Sequence, residues 1–134
     1  MEAALGIYAL LSPEVLTPTE ETDSQKVSEL EIEIRRHGRW TTPITAHKHA
    51  LFVMDGHHRL AVAHRLQLKT LPVVLLDYSS VHVEAWRTGE NITPNSIFSM
   101  ARSGQKFPVK TTRHIFKVRI PTCDIVLEDL QTAP

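Results

Sequence analysis

A short apolar run at 50–54 breaks at Asp55-Gly56 and is followed at once by Leu60, Ala63 and Leu66 at helical spacing, then by Pro72 and a second apolar run at 73–76. This order predicts strand, tight turn, helix and strand, and it commits the middle of the chain to a sheet with a helix packed against it. With 134 residues the chain supplies one sizeable core. The flanking segments must therefore share that core, and residues 1–134 are expected to form a single domain.

The flanks carry weaker signals of the same kind. Residues 5–11 read as a buried strand closed by Ser12-Pro13, and a polar connector follows at 17–23. Thr22 with Gln25 has the form of a capping box, and Val27, Leu30 and Ile34 recur at helical spacing up to Gly38. Residues 43–46 and 50–54 predict a hairpin around His47-Lys48-His49. Val81, Val83 and Ala85 alternate weakly, whereas Thr93-Pro94 offers a cap for a helix that buries Ile97, Met100 and Ala101 and stops at Gly104. A last strand is expected over 114–120. The segment after Pro121 gives no signal, and Trp40 is assigned to packing. Strands and helices mixed in this order predict an α+β fold, a small mixed sheet with flanking helices.

Composition narrows the function. Hydrophobic residues are 42% and charged residues 22% of the chain, the balance of a folded globular protein. Fifteen basic residues against fifteen acidic ones leave no net charge, so no global field draws the molecule to nucleic acid or an anionic membrane. One cysteine, Cys123, makes neither an internal disulfide nor a thiolate zinc site, which points to a reducing compartment. The apolar stretch at 3–11 is too short to cross a bilayer and follows Glu2 where a secretory signal carries positive charge. A cytoplasmic protein is expected. Charge is nonetheless uneven: 20–33 holds six acids and one lysine, and 102–119 holds six basic residues and no acid. Such blocks are either solvated faces or one wall of a site for a phosphorylated ligand.

The densest chemistry is Asp55-Gly56-His57-His58-Arg59, placed where a strand turns into a helix. Unpaired N–H groups and the positive helix end suit an anion there, with His57, His58 and Arg59 as further donors. Asp55 supplies a hard oxygen for Mg²⁺, which takes one or two carboxylates and completes its shell with phosphate oxygens and water. The plainer alternative is a turn with histidines capping a helix. No GxxxxGK[ST] or GxGxxG pattern occurs, so this is neither a P-loop nor a dinucleotide fingerprint. His47, His49, His57, His58 and His64 match no standard zinc spacing. A second cluster, Lys110-Thr111-Thr112-Arg113-His114, follows Ser103-Gly104-Gln105-Lys106-Phe107-Pro108 and offers dense donors for a carboxylate or phosphate.

Taken together, the element order and DGHHR resemble the ParB/sulfiredoxin-like fold over nearly the whole chain. DGHHR combined with the distant SGQKFPVKTTRH is similar to the free L-serine kinases of that superfamily. The resemblance implies phosphoryl transfer from ADP or ATP to the hydroxyl of free L-serine, with Mg²⁺ or Mn²⁺ on Asp55. It implies that Gly56, His57, His58 and Arg59 bind phosphate, with Asp55 and His57 also catalytic. Lys110, Thr111, Thr112, Arg113 and His114 would hold the amino acid and phosphate, Trp86 would wall the serine site, and Glu20 or Glu21 would be the base. An extended connector aims neighbouring side chains to opposite sides, which favours Glu20, since Glu21 lies nearer the helix start. Sulfiredoxin's nucleophilic cysteine is replaced by His57, so sulfinic-acid reduction is not expected. Two alternatives stand beside this reading: a ParB-like nucleotide- or DNA-binding regulator without turnover, and a kinase for a related amino alcohol such as threonine or homoserine. Oligomeric state is not legible.

Overall fold

The computed structural model describes residues 8–132. Its centre is a four-stranded mixed sheet in the order β1 (Ala9–Leu11), β5 (Leu71–Leu76), β3 (Ile44–His47), β4 (Val53–Asp55). The inner pair, β5 and β3, is parallel, and each outer pair is antiparallel. All four residues of β3 are buried, as a central parallel strand covered on both faces requires. The predicted strand at 5–11 is present from Ala9, and its first residues lie outside the described ones.

Period-two alternation sorts the sheet's side chains into two apolar layers. Ile44, Ala46, Val53 and Val73 join the helical side, where α1 (Ser24–His37) and α2 (His57–Arg65) bury Val27, Ile34, Leu60 and Ala63. Phe52, Met54, Val74 and Leu76 join the other side, under the ribbon of β6 (Val81–Ala85) and β7 (Thr112–Phe116) and under α3 (Pro94–Ser103) through Ile97. Four α-helices and this mixed sheet make one domain among the described residues, the α+β architecture expected from the sequence.

Several local expectations shift. The cap of α1 is Asp23, whose carboxylate accepts from the backbone N–H of Gln25 (2.9 Å) and Lys26 (3.2 Å), and the Thr22–Gln25 box does not form. An anionic cap one residue later reaches two unpaired donors and also complements the helix dipole. The strand expected at 114–120 runs from Thr112 to Phe116, because β6 offers five residues to pair, from Ala85 opposite Thr112 to Val81 opposite Phe116. The α3 cap holds as read, with Thr93 and Ser96 reciprocally bonded and Gly104 left-handed at the end. Trp40 is 1% exposed and donates its indole N–H to the Thr42 carbonyl. It sits on β2 (Arg39–Trp40), which pairs with β8 (Ile125–Val126) before α4 (Leu127–Gln131). Neither two-residue strand is long enough to show a period.

Gly56 joins β4 to α2 with φ +111°, and a Cβ there would meet Ile44 Cγ1 at 3.0 Å. Both the conformation and the space demand glycine. Gly56→Ala is expected to cost about 1–3 kcal/mol of stability, read from denaturant unfolding. An unchanged midpoint would contradict the tight β4–α2 junction.

Candidate functional site

The connector at 17–23 is extended because both its edges are paired. Thr17 bridges to the hairpin, accepting from Val53 N and donating to the Leu51 carbonyl, each at 2.9 Å. Phe107 donates to the Thr19 carbonyl at 2.8 Å and accepts from Glu21 N at 2.7 Å. Extended backbone sends neighbouring side chains to opposite sides. Glu20 therefore faces a cleft of about 270 Å³, which Glu21 does not line, and Glu21 is exposed.

Glu20 is the most heavily bonded group of the cleft. Its Oε1 accepts from Thr111 N (3.2 Å), Thr112 N (2.9 Å) and Thr112 Oγ1 (3.0 Å). Its Oε2 accepts from Lys110 N at 3.1 Å. Lys110 takes a left-handed φ of +56°, and consecutive N–H groups around such a residue converge into an anion nest. The carboxylate thus holds the start of β7 against the connector across some ninety residues of sequence.

Across the cleft stands the β4–α2 turn. Asp55 is exposed, and Thr45 Oγ1 accepts its backbone N–H at 3.0 Å. Asp55, Arg59 and Lys110 all line the cleft, and none has an ion-pair partner within 4.0 Å among the described residues. The first N–H groups of α2, from His57 to Arg59, lack helical partners as at any helix start. No three His, Cys, Asp or Glu side chains converge into a metal cage among the described residues. One carboxylate on an anion-ready wall nonetheless fits Mg²⁺ or Mn²⁺, whose remaining ligands would be phosphate oxygens and water.

The two histidines do not supply the expected positive charge. His57 is buried, its Nε2 accepts from Thr19 N at 3.1 Å, and burial holds its imidazole down at about 3, aided by nearby His114 and His58. His58 Nε2 accepts from Asp23 N at 3.1 Å, and its basicity is also lowered, first by burial and then by Lys26. Both residues, with Gly56, still line the cleft.

The second cluster divides. Lys110 and Thr112 line the cleft, but the N–H groups of 110–112 are already committed to Glu20 and are not open to a ligand. Thr111 is buried and donates its hydroxyl to the Pro108 carbonyl at 2.7 Å. Arg113 is exposed, 3.5 Å from Glu84 and stacked 4.9 Å from the Trp86 ring centroid. His114 turns inward to Tyr78 Oη at 3.0 Å. Thr111, Arg113 and His114, expected beside the ligand, do not line the cleft: the Pro108 carbonyl, Glu84 with the Trp86 ring, and Tyr78 hold them. Trp86 is 53% exposed and lines the cleft, so it is not a core residue.

Thr42, Pro43 and Met54 complete the wall and were not anticipated. The signal was available: in the antiparallel hairpin the residues just before β3 lie at the same end as those just after β4. Cys123 stays apart, its thiol pushed up to about 11 by burial and donating to the Trp40 carbonyl.

Comparison with known proteins decides the lineage. The ParB N-terminal domain family matches residues 7–92, well over half of the chain. The chain belongs to this family. A ParB-like protein of Sulfolobus acidocaldarius is 35% identical over 86 residues, which cover 64% of this chain and 43% of that relative. The chain thus spans less than half the length of the curated relative it matches. Among solved structures, a free serine kinase in complex with AMP superposes with a TM-score of 0.83 at 16% identity, over 92% of this chain and 93% of that one. SbnI with C-terminal truncation, from Staphylococcus aureus, gives a TM-score of 0.87 at 12% identity, over 100% and 93%. At these identities the likeness establishes the ParB/sulfiredoxin-like fold. No helix among the described residues is long and apolar enough to cross a membrane.

Burial of His114 sets a pH signature. Its imidazole lies near 6.5 when exposed and is held down to about 4 by burial in the fold. Between these values the unfolded chain binds more protons, so stability is intact above about 6.5 and falls as pH drops toward about 4. The slope is roughly 1 kcal/mol per pH unit. Urea midpoints across this range should show the slope, and His114→Gln should remove His114's share of it while His57, held lower still, keeps its own. Equal slopes in both proteins would place the histidine in water.

Proposed function

We propose that the protein is a kinase that transfers a phosphoryl group from ADP or ATP to the hydroxyl of free L-serine, giving O-phospho-L-serine. One observation carries the proposal: the Glu20 carboxylate faces the same cleft as the α2 N-terminus, Asp55, Arg59 and Lys110. Phosphoryl transfer asks for alignment and charge neutralisation more than for covalent help from the protein. The likeness to free serine kinases in complex with AMP and with ADP supports a nucleotide as donor.

In this reading the donor phosphates lie against the N–H groups of 57–59, with Arg59 and Lys110 neutralising their charge. Bound at Asp55, Mg²⁺ or Mn²⁺ would supply further charge neutralisation at the phosphates. Glu20 acts as general base. Its Oε1 is filled by three donors whereas Oε2 has one, so Oε2 is the oxygen with room for the hydroxyl proton. A carboxylate so well bonded is a weak base, and it takes the proton in the transition state as the serine oxygen bonds to phosphorus and the donor's bridging oxygen leaves. Trp86 walls the acceptor side. The small cleft favours a free amino acid over a protein chain.

Family membership favours a second reading, a ParB-like module that binds nucleotide without turnover. The two separate in one assay. Incubation with Mg²⁺ or Mn²⁺, ADP or ATP and a panel of serine, threonine and homoserine is expected to give O-phosphoserine by phosphorus NMR. Nucleotide binding with no phosphorylated product would leave the binding module. Glu20→Gln is expected to lower turnover about a hundredfold to ten-thousandfold with serine binding kept. Glu21→Gln should retain turnover, and Asp55→Asn should lose nearly all of it with the fold intact. Full activity in Glu20→Gln removes the base from the mechanism.

A further inference from the structure

We propose that His57 and His58 are positioning residues: each holds one connector N–H on its Nε2, and together they fix Glu20 relative to the phosphate-facing start of α2. The two acceptors straddle Glu20, with Thr19 N on His57 and Asp23 N on His58, both at 3.1 Å. A backbone N–H can only donate, so the ring nitrogen facing it carries the lone pair. Both rings are therefore neutral tautomers protonated at Nδ1.

The remaining ties of the connector lead elsewhere. Thr17 pairs with the hairpin, Thr19 and Glu21 pair with Phe107, and the Glu20 carboxylate holds 110–112. Among the described hydrogen bonds, only the two imidazoles join the connector to α2. They set the register between the half of the cleft that carries Glu20 and the half that carries the helix N-terminus. Thr19 is 1% exposed and His57 8%, so water cannot replace that acceptor without opening the packing. His58 is half-buried, and its bond also fixes Asp23, the cap of α1.

A positioning role and a phosphate-ligand role predict different results. Glutamine places an acceptor close to where Nε2 sits, and leucine removes it. In the intact chain, amide hydrogen exchange at Thr19 in His57→Leu and at Asp23 in His58→Leu should quicken by about tenfold or more, with the Gln variants near wild type. Nitrogen NMR of the wild-type rings should report Nδ1–H for both. The kinetic consequence rests on Glu20 acting as base: the Leu variants should lose about tenfold or more in kcat, with nucleotide KM within about twofold and most of the loss recovered by Gln. Nε2–H tautomers, unchanged exchange in the Leu variants, or a nucleotide KM raised alike in Leu and Gln would overturn the proposal. Exchange and tautomer need no turnover, so a failed kinase assay leaves this test standing. If His57→Leu does not fold, His58→Leu and the wild-type tautomers still decide.

Discussion

The contact on which this molecule depends is one carboxylate gathering four donors from a segment ninety residues away. Glu20 binds the N–H groups of Lys110, Thr111 and Thr112 and the Thr112 hydroxyl. Without it the left-handed turn at Lys110 would leave three converging N–H groups without a partner, two of them on buried threonines, and an unpaired buried donor costs about 1–3 kcal/mol. With it, the connector, the β6–β7 ribbon and the cleft wall become one hydrogen-bonded unit. The same residue lines the cleft with one carboxylate oxygen less filled than the other, so stability and proposed chemistry share it.

Charge in the cleft is arranged economically. The Lys and Arg side chains that line the cleft are Lys110 and Arg59, and the imidazoles of His57 and His58 are neutral acceptors. A protonated His57 would set two donors, its own Nε2–H and Thr19 N–H, against each other in a buried place. Burial and function thus agree in keeping that proton off. The zero net charge read from the sequence hides this local grouping of two cations and one exposed aspartate in a single cleft.

Much of the fold was legible because its elements are long enough to carry a period. The β4–turn–α2–β5 unit, the capped α3 and the β3–β4 hairpin all follow from alternation, helical spacing and turn residues. Two-residue strands such as β2 and β8 show no period, and the capping competition between Thr22 and Asp23 is decided by reach. In the site, residue types pointed to the right turn but not to side-chain direction. His57 and His58 are followed in sequence by nothing that reveals a backbone N–H from thirty-five or more residues upstream. Arg113 and His114 do not line the cleft because Glu84 and the Trp86 ring hold the first and Tyr78 the second, partners that no single pentapeptide discloses.

The central claim is that the β4–α2 turn and the start of β7, distant in sequence, form one anion-binding cleft. Amide chemical-shift mapping during titration with ADP and Mg²⁺ tests it directly. The account predicts direct shifts at 56–59 and smaller ones at 110–112, relayed through the Lys110 side chain and Glu20, in a single saturable step. Shifts confined to other surfaces, with these amides unmoved at saturation, would contradict it.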